Sequence, residues 1–447
     1  MSPTDAVTDR LLRGGIPASL AGARVILWGA GRHGGGLAAA HHCTREGAKV
    51  SILDRRAPRE LPEVMAEAAI NGWTWHLGEH RHPAWRRADL IVASPAIPPR
   101  ALAALPANSP PVVGADALFF ARHRGPRIAI TGTKGKSTTA AITGELLDWQ
   151  VGGNSYVPLL DLLHRHGPDL PVVCELSSFQ LWYLRQQQPQ MSAVGITNIH
   201  TDHLDWHPDA EHYRRCKLAL LGWSDAIAVH DDLAEQAGDR RLPTVRLDDG
   251  GNFVTPDGTL IAKRSQLPLP GNHNARNACI ALTLALHARL DPGIAGIRLT
   301  AVNPLPHRLQ TVHRAPPFTY IDDSIATTPE ATLAGLSTVE GPLAVILGGA
   351  DKGGDFTELA GAMRERGAKA VCLGQTAQHL EHCLAAHGIL APVVKNLPDA
   401  IKQAVTLLGP EGGTVLLSPA CASTDMFTDF AARGDAFAEA VNDRHQV

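Results

Sequence analysis

The feature that most constrains the fold of this chain is a glycine-rich loop between a short apolar strand and a helix. The strand is predicted at 127–130, the loop reads TGTKGKST at 131–138, and the helix is predicted at 139–147. The loop is a compact form of the phosphate-binding pattern G-x-x-x-x-G-K-S, two residues shorter. Lys136 would reach nucleotide phosphates and the Ser137 hydroxyl would bind Mg²⁺. A glycine- and lysine-rich surface turn is the alternative, and the flanking strand and helix argue against it.

Strands and helices alternate along the whole chain, which predicts an α/β fold with parallel sheets. The length of 447 residues is typical of about three domains. Proline-rich segments at 106–111 and 304–306 mark two boundaries. We therefore predict domains at 1–113, 114–304 and 305–447.

The composition argues against several classes of protein. The 41 basic and 44 acidic residues give a net charge of −3, so no basic field for nucleic acid or an anionic membrane is implied. No apolar run approaches the ~18 residues that a membrane span requires. Seven scattered cysteines without a C-x-x-C pair argue against a disulfide framework and a cysteine-rich zinc module. The N-terminus lacks the apolar run of a signal peptide, and we expect a cytoplasmic protein.

A second glycine-rich turn follows the first predicted strand, at 24–28. Gly29, Gly31 and Gly34 would let a backbone approach a pyrophosphate at the start of a helix. Asp54 ends the second predicted strand, where an acidic side chain could meet a ribose or base. The pattern is consistent with NAD, with a UDP-sugar, or with a tight turn that binds nothing.

Three side chains in the middle of the chain suggest metal chemistry. Glu175 follows the predicted strand at 171–174, and His203 lies beyond the strand at 193–196. A carboxylate and an imidazole suit Mg²⁺ or Mn²⁺, whereas the plain lysine Lys217 does not coordinate a metal. Taken singly, His203 is more simply a polar loop residue, because the chain has 22 histidines.

Further polar clusters follow. Asn277, in the segment 271–278, is predicted near the start of a helix at 278–287, where its amide would bind a nucleotide or only cap the helix. Near the C-terminus, clusters lie at 306–308, 322–327, 348–353 and 418–423, the last three after apolar strands. Lys352, with the hydroxyls of Thr327 and Ser423, could hold a small carboxylate. Ordinary loop chemistry is the alternative for each cluster taken alone.

In their order along the chain, these motifs resemble the Mur ligase family, and within it the MurD type that adds glutamate. The resemblance spans about residues 22–440 and rests on the phosphate loop, the Lys217 segment, and ELSSFQ, GNHNARN, PHR, GGADKG and SPACAS. It implies a Rossmann-like UDP-binding domain, a central P-loop ATPase domain and a C-terminal Rossmann-like domain. It also implies that ATP activates the carboxylate of UDP-N-acetylmuramoyl-L-alanine as an acyl phosphate, which glutamate then attacks. The first domain would bind UDP rather than NAD.

The resemblance also implies the roles of single residues. The catalytic residues would be Lys136, Glu175, His203 and Lys217. Two Mg²⁺ ions would be held by Ser137, Glu175, His203 and a carbamylated Lys217. ATP would contact Gly132, Thr133, Lys134, Gly135, Lys136, Ser137, Thr138, Asn277, Arg308 and Asp323. The UDP substrate would contact Gly29, Gly31, Gly34, Asp54, Arg55, Ser94 and Asn154. Glutamate would contact Thr327, Lys352, Ser423 and Phe430.

Two residues depart from the pattern that the resemblance leads us to expect. Ile325 stands in D-S-I-A-T, where enzymes that add D-glutamate usually have D-S-K-A-T, and Lys134 replaces the usual Asn of the phosphate loop. We interpret them as signs of a variant that adds L-glutamate, with D-glutamate as the alternative. Three competing interpretations are a different ligase of the superfamily, such as a folylpolyglutamate synthase, an NAD-dependent oxidoreductase, and a nucleotide sensor without activity. We expect a monomer with small-molecule substrates.

Overall fold

The computed structural model describes residues 8–9, 11–12, 15–30, 35–78, 85, 87–106, 108–269, 271–303, 305–351 and 355–445. The chain forms two compact units. The first comprises Met1–Pro268 and Asn272–Val302, and the second comprises Leu269–Gly271 and Asn303–Val447. Each unit is built around its own sheets.

The first sheet of the first unit has five parallel strands. They are β1 (Arg24–Trp28), β2 (Lys49–Asp54), β3 (Thr74–Leu77), β4 (Leu90–Ala93) and β5 (Val112–Gly114), in the order β3-β2-β1-β4-β5. Between and after them come helices α1 (Gly35–Arg45), α2 (Pro62–Asn71), α3 (Pro99–Ala103) and α4 (Ala115–Arg122). The strand order reverses beside β1, so the turn after β1 lies at the switch point where α/β sheets bind ligands.

The second sheet of this unit is also parallel. Its strands are β6 (Arg127–Thr131), β7 (Gln150–Gly153), β8 (Val172–Glu175), β9 (Ala193–Ile196) and β10 (Ile227–Val229), in the order β10-β9-β6-β8-β7. Its helices are α5 (Lys136–Leu147), α6 (Leu159–His166), α7 (Ser178–Leu184), α8 (Ala210–Leu218) and α9 (Ala234–Ala237). Because the strands are parallel, the ends of β6, β8 and β9 meet at one edge.

The first unit ends in a small sheet and two helices. Strands β11 (Arg246–Leu247), β12 (Phe253–Val254) and β13 (Leu260–Ala262) are antiparallel. They are followed by α10 (Asn272–His287) and α11 (Pro292–Thr300). Helix α10 has an almost continuous buried sequence from Ala278 to Ala285 and packs against α5 and β9. This packing covers the face of the second sheet with apolar side chains.

The second unit contains one mixed sheet of six strands. They are β14 (Gln310–Ala315), β15 (Phe318–Asp322), β16 (Leu343–Leu347), β17 (Lys369–Leu373), β18 (Val393–Val394) and β19 (Gly413–Leu417), in the order β14-β15-β19-β16-β17-β18. Only β14 and β15 pair antiparallel. The helices are α12 (Pro329–Thr338), α13 (Thr357–Arg366), α14 (Ala377–Ala386), α15 (Leu397–Leu408) and α16 (Phe430–His445).

The predicted α/β class with parallel sheets is confirmed. The strands at 24–28 and 193–196 have the predicted limits, because each consists mainly of buried apolar residues. The small antiparallel sheet and the β14–β15 hairpin were not predicted, since their strands are short or only half buried. The division into three domains remains a prediction. Among the described residues, no helix is long and apolar enough to cross a membrane.

Candidate active site

The phosphate loop connects β6 to α5, and its glycines are required by their surroundings. Gly135 has a φ of 82° and precedes the first residue of α5. A Cβ on Gly135 would overlap the Asn277 amide, and a Cβ on Gly132 would overlap the Thr197 hydroxyl. Because only glycine fits both places, the backbone can approach a phosphate closely at the start of α5.

The loop is held in shape by the residues that follow β9. The backbone N–H of Thr133 donates to the Asn198 carbonyl at 3.0 Å, and the N–H of Lys134 donates to Asn198 Oδ1 at 3.0 Å. The Thr197 hydroxyl and the Asn198 amide both donate to the Lys134 carbonyl, at 2.6 and 3.0 Å. These bonds fix the loop before any ligand arrives, which lowers the entropic cost of binding.

Glu175, the last residue of β8, is fully buried next to the loop. Its Oε1 accepts hydrogen bonds from Ser137 Oγ at 3.1 Å, Asn154 Nδ2 at 3.0 Å and Ser155 Oγ at 3.2 Å. Its Oε2 is buried without a hydrogen-bond partner among the described residues. A buried carboxylate oxygen without a partner is costly, and beside a phosphate-loop serine it is suited to a hard cation such as Mg²⁺.

Lys217, on α8, lies against the same loop. Its Nζ donates to the Gly132 carbonyl at 2.7 Å and lies 5.0 Å from the centre of the Tyr213 ring. Burial lowers the pKa of Lys217 to about 7, and the positive charge of Lys136 acts in the same direction. A large share of Lys217 is therefore the neutral, nucleophilic amine near neutral pH.

His203 lies on the loop between β9 and α8, with about half of its side chain exposed. Its ring is 5.0 Å from that of Phe179 and 6.3 Å from that of Tyr213, so it lies near the helix that carries Lys217. Its backbone has a φ of 55°, an uncommon value for histidine. Partial burial lowers the pKa of His203, although the Asp202 carboxylate opposes the shift.

The position of Asn277 corrects the sequence analysis. Helix α10 begins at Asn272 rather than at 278, so Asn277 lies in its second turn and is buried. It therefore does not cap the helix. Its amide adjoins Gly135 of the phosphate loop instead. The polar segment 271–277 concealed the start of the helix, because its asparagines are poor helix formers.

At the end of the first sheet, the structure brings together Gly29, Asp54 and Ser94. Gly29 has a φ of 86°, and a Cβ there would lie 2.9 Å from the Ser94 Cβ. The Asp54 carboxylate accepts from the Ala30 N–H at 2.9 Å and from the Arg56 guanidinium at 2.7 Å. Arg56 was missed by the sequence analysis, and the neighbouring Arg55 is exposed.

Three further residues, Gly31, Gly34 and Asn154, were predicted to contact the UDP substrate. Gly31 and Gly34 lie outside the described residues. Asn154 hydrogen bonds to Glu175, which places it at the phosphate loop. The sequence gives no sign of this contact, because Asn154 and Glu175 are 21 residues apart.

In the second unit, Asp323 is buried after β15. It accepts from Ser418 Oγ at 2.8 Å and from the Leu309 N–H at 3.3 Å. Burial raises the pKa of Asp323 to about 7, and the nearby Arg308 partly offsets the shift. Arg308 Nε is buried without a partner among the described residues. The two residues thus combine a strongly desolvated acid with a guanidinium.

Three segments predicted to contact glutamate are linked by one buried residue, Arg433 of α16. Its Nε and Nη2 donate to the hydroxyl and the carbonyl of Ser324, both at 2.9 Å, and its Nη1 donates to the Cys421 carbonyl at 3.1 Å. The Ser324 hydroxyl donates to the Phe430 carbonyl at 2.7 Å. The loops that carry Thr327 and Ser423 are therefore tied to the start of α16.

Lys352 lies outside the described residues. Arg433 was not predicted, because no motif singles it out. Asn198 was not predicted either, although its position directly beyond the strand at 193–196 is a signal for it.

The site consists of a strand, a preorganised phosphate loop and a helix, and a buried carboxylate accepts a hydrogen bond from the loop serine. This arrangement defines a class of nucleotide-binding α/β proteins. Within this class, the Mur ligase middle domain family matches residues 130–285, and the family described as Mur ligase, glutamate ligase domain, matches residues 307–421. The chain belongs to the Mur ligase family and is an ATP-dependent, amide-bond-forming ligase of the MurD type. This finding replaces the interpretations as an oxidoreductase and as a nucleotide sensor.

Relatives cover nearly the whole chain. A UDP-N-acetylmuramoylalanine–D-glutamate ligase of Pelotomaculum thermopropionicum is 32% identical, over 94% of this chain and 97% of its own. One of the same name from Anaeromyxobacter dehalogenans is 35% identical over the same shares. Among solved structures, a UDP-N-acetylmuramate–alanine ligase of Thermotoga maritima has a TM-score of 0.59 at 20% identity, covering 94% of this chain and 100% of its own. That likeness supports the fold alone.

Proposed function

We propose that this ligase uses ATP to join glutamate to UDP-N-acetylmuramoyl-L-alanine, a step in the synthesis of peptidoglycan precursors. The observation that carries the proposal is the preorganised phosphate loop with Glu175, in a chain whose full-length relatives bear the name of this activity. The match to a glutamate ligase domain over residues 307–421 also supports glutamate as the amino acid.

ATP phosphates would bind at the start of α5. The loop amides between Gly132 and Thr138 would cradle the phosphate oxygens, and Lys136 would neutralise their charge. Asn277, which adjoins Gly135, would contact the nucleotide from α10. Arg308 and Asp323 of the second unit remain predicted ATP contacts.

Two Mg²⁺ ions fit the residues present in the first unit. Ser137 and the unpartnered Oε2 of Glu175 are oxygen donors of the kind that Mg²⁺ prefers. Lys217 would join them as a carbamate, because the neutral fraction of its amine can add CO₂ and become an anionic ligand. His203 would complete the set. The bound ions would offset the negative charge of the phosphates during transfer.

The reaction needs two displacements. The substrate carboxylate attacks the γ-phosphorus of ATP, and ADP leaves, giving an acyl phosphate. The amine of glutamate then attacks the acyl carbon, and the tetrahedral intermediate expels phosphate to form the amide. A carboxylate is a poor electrophile, so activation by ATP is required. The fixed donors around the loop would stabilise the charge that develops at each step.

The two substrates would use separate groups of residues. The uridine diphosphate would contact Gly29, Asp54, Arg55 and Ser94, and Gly31 and Gly34 remain predicted contacts. Asn154 would contact the muramoyl end, which accords with its bond to Glu175 beside the phosphate loop. Glutamate would be held by Thr327, Lys352, Ser423 and Phe430.

The names of the relatives support D-glutamate as the amino acid, which the sequence analysis held as the alternative. L-glutamate is the second candidate, and Ile325 is the observation that favours it. The Ile325 N–H donates to the His307 carbonyl at 3.1 Å, and its half-buried apolar side chain stands where the resemblance leads us to expect a cation. Losing one charged contact can cost about 1–3 kcal/mol, which is enough to change the preferred binding mode.

The test is phosphate release from ATP with UDP-N-acetylmuramoyl-L-alanine, run separately with D- and L-glutamate, with the product mass measured in parallel. Phosphate release with D-glutamate alone supports D-glutamate as the substrate, and release with L-glutamate alone supports L-glutamate, the second candidate. No release and no product with either amino acid would contradict both. The Lys136→Ala variant is the control, since it lacks the cation that faces the phosphates.

A further inference from the structure

Two imidazoles and one thiol form a buried cluster on α8 and the loop that precedes it. His207 Nδ1 lies 2.8 Å from His212 Nδ1, and Cys216 Sγ lies 3.8 Å from the same nitrogen. One potential ligand atom from each of the three residues lies within 4.8 Å of the other two. All three residues are buried.

The local sequence explains why these groups meet. His212 and Cys216 are four residues apart on α8, so they share one face of the helix. The Asp209 side chain accepts the His212 N–H at 2.6 Å and caps the helix. His207 lies two residues before this cap, and its ring reaches the same face of the helix.

We propose that His207, His212 and Cys216 form a binding site for one Zn²⁺ ion, with two Nδ1 atoms and one Sγ as ligands. Zn–N bonds of about 2.0–2.1 Å and a Zn–S bond of about 2.3 Å place tetrahedral ligands ~3.3 Å (N to N) and ~3.6 Å (N to S) apart. To bind the ion, the two Nδ1 atoms would move apart by about 0.5 Å. Cys216 Sγ would move about 0.2 Å closer to His212 Nδ1. A set of two nitrogens and one sulfur selects zinc over Mg²⁺.

The surroundings of His207 suit a metal ligand. Its Nε2 lies 2.9 Å from Ser178 Oγ, and a ring N–H donating to that oxygen would leave the Nδ1 lone pair for the ion. The rings of Trp206, Tyr213 and Phe179 lie 4.6, 5.2 and 5.6 Å from the His207 ring.

The ion would join two segments that carry predicted Mg²⁺ ligands. His207 lies four residues beyond His203 on the same loop, and Cys216 directly precedes Lys217 on α8. Zinc would therefore fix the loop against the helix. The site stands on its own geometry and does not depend on the identity of the amino acid substrate. If no metal binds, the imidazole pair and Ser178 satisfy one another as a hydrogen-bonded chain.

The first experiment is a Co²⁺ titration of the full-length protein, stripped of metals, reduced, and kept in excess Mg²⁺ so that oxygen sites are filled. We expect one equivalent of Co²⁺ to give a thiolate-to-cobalt charge-transfer band and the intense visible bands of tetrahedral cobalt. Equimolar Zn²⁺ should remove them. Wild-type protein without a thiolate band would overturn the proposal.

Variants assign the band to this cluster. Cys216→Ser should abolish the thiolate band, whereas Cys383→Ser, which alters a less buried thiol of the second unit, should keep it. Ser178→Ala should keep the band but weaken Co²⁺ binding about 10–100-fold, because it removes the outer partner of His207. A band that survives in Cys216→Ser, or disappears in Cys383→Ser, would overturn the assignment. If Cys216→Ser does not fold, the wild-type and Ser178→Ala titrations decide.

Discussion

Ser137 Oγ donates a hydrogen bond to Glu175 Oε1 at 3.1 Å, while the other oxygen of the same carboxylate is buried without a partner among the described residues. The two residues are 38 positions apart and come together because β6 and β8 are neighbouring parallel strands. A phosphate-loop hydroxyl and this buried carboxylate oxygen are thus held in one place. This relationship leads to the first prediction.

Replacing Glu175 by Gln should lower turnover about 100-fold or more and weaken the dependence on Mg²⁺. The amide oxygen can still accept from Ser137, Asn154 and Ser155, but the substitution removes the negative charge that a cation needs. ADP formation measured against Mg²⁺ concentration checks this. Glu358→Gln, on α13, is the control. Unchanged Mg²⁺ dependence in the Glu175 variant would contradict the metal assignment.

Lys217→Ala should abolish turnover, and small carboxylates such as formate or acetate should restore part of it. The anion would occupy the space of the carbamate and supply the missing negative ligand. Rates are compared with and without each acid, with chloride at the same ionic strength as the control. Lys402→Ala, an exposed lysine of α15, should retain full activity. A complete lack of rescue would argue against the carbamate.

Gly135→Ala should destabilise the protein and reduce ATP turnover, because the φ of 82° costs ~1–3 kcal/mol and the new Cβ overlaps Asn277. Gly72→Ala is the matched control, because Gly72 is also in the left-handed region, with a φ of 66°, and has no atom within 4 Å of the added Cβ. Urea unfolding of both variants separates backbone strain from overlap. Adding Asn277→Ala to Gly135→Ala should restore only the part of the stability that was lost to the overlap, and not the part lost to backbone strain. Equal losses in the two glycine variants would rule out the predicted overlap.

The stability of the protein should depend on pH through Asp323. Burial raises the pKa of Asp323 to about 7, so the folded state favours the neutral acid. Between about pH 4 and pH 7 the unfolded chain loses this proton first, so the free energy of unfolding contributed by Asp323 falls as pH rises. From pH 4 to pH 7, the free energy of unfolding of Asp323→Asn should rise by at least about 1 kcal/mol relative to that of the wild type. Unfolding curves at several pH values check this.

The exposed Asp399→Asn is the control for the loss of a carboxylate. A difference between Asp323→Asn and wild type that stays constant from pH 4 to pH 7 would contradict the raised pKa.

Arg433→Met should raise the KM for glutamate more than the KM for ATP and lower the free energy of unfolding by about 3 kcal/mol. It leaves the Ser324 and Cys421 acceptors buried without their donor, and unmade buried hydrogen bonds cost about 1–3 kcal/mol each. Steady-state kinetics with each substrate varied in turn check this. Arg314→Met, an exposed residue of β14, should change neither quantity. Equal changes in both KM values would contradict a specific role at the glutamate loops.

The sequence by itself determined the parts of this protein that depend on neighbouring residues. The strand at 127–131, the phosphate loop and α5 follow from one continuous stretch, because apolar runs, glycines and a helical segment act locally. The buried strands that end at Glu175 and directly before Ser418 could be predicted for the same reason. The family followed from motifs in a fixed order, which also needs no tertiary contact.

Only the tertiary structure decided which distant groups meet. It gave Glu175 its donors Asn154 and Ser155, placed Asn277 against Gly135, and paired Asp54 with Arg56. It likewise joined His207 to Ser178 and Arg433 to Ser324. These contacts span up to 109 residues. Local propensity carries no information about them, because they arise when parallel strands and packed helices bring remote segments to one edge of a sheet.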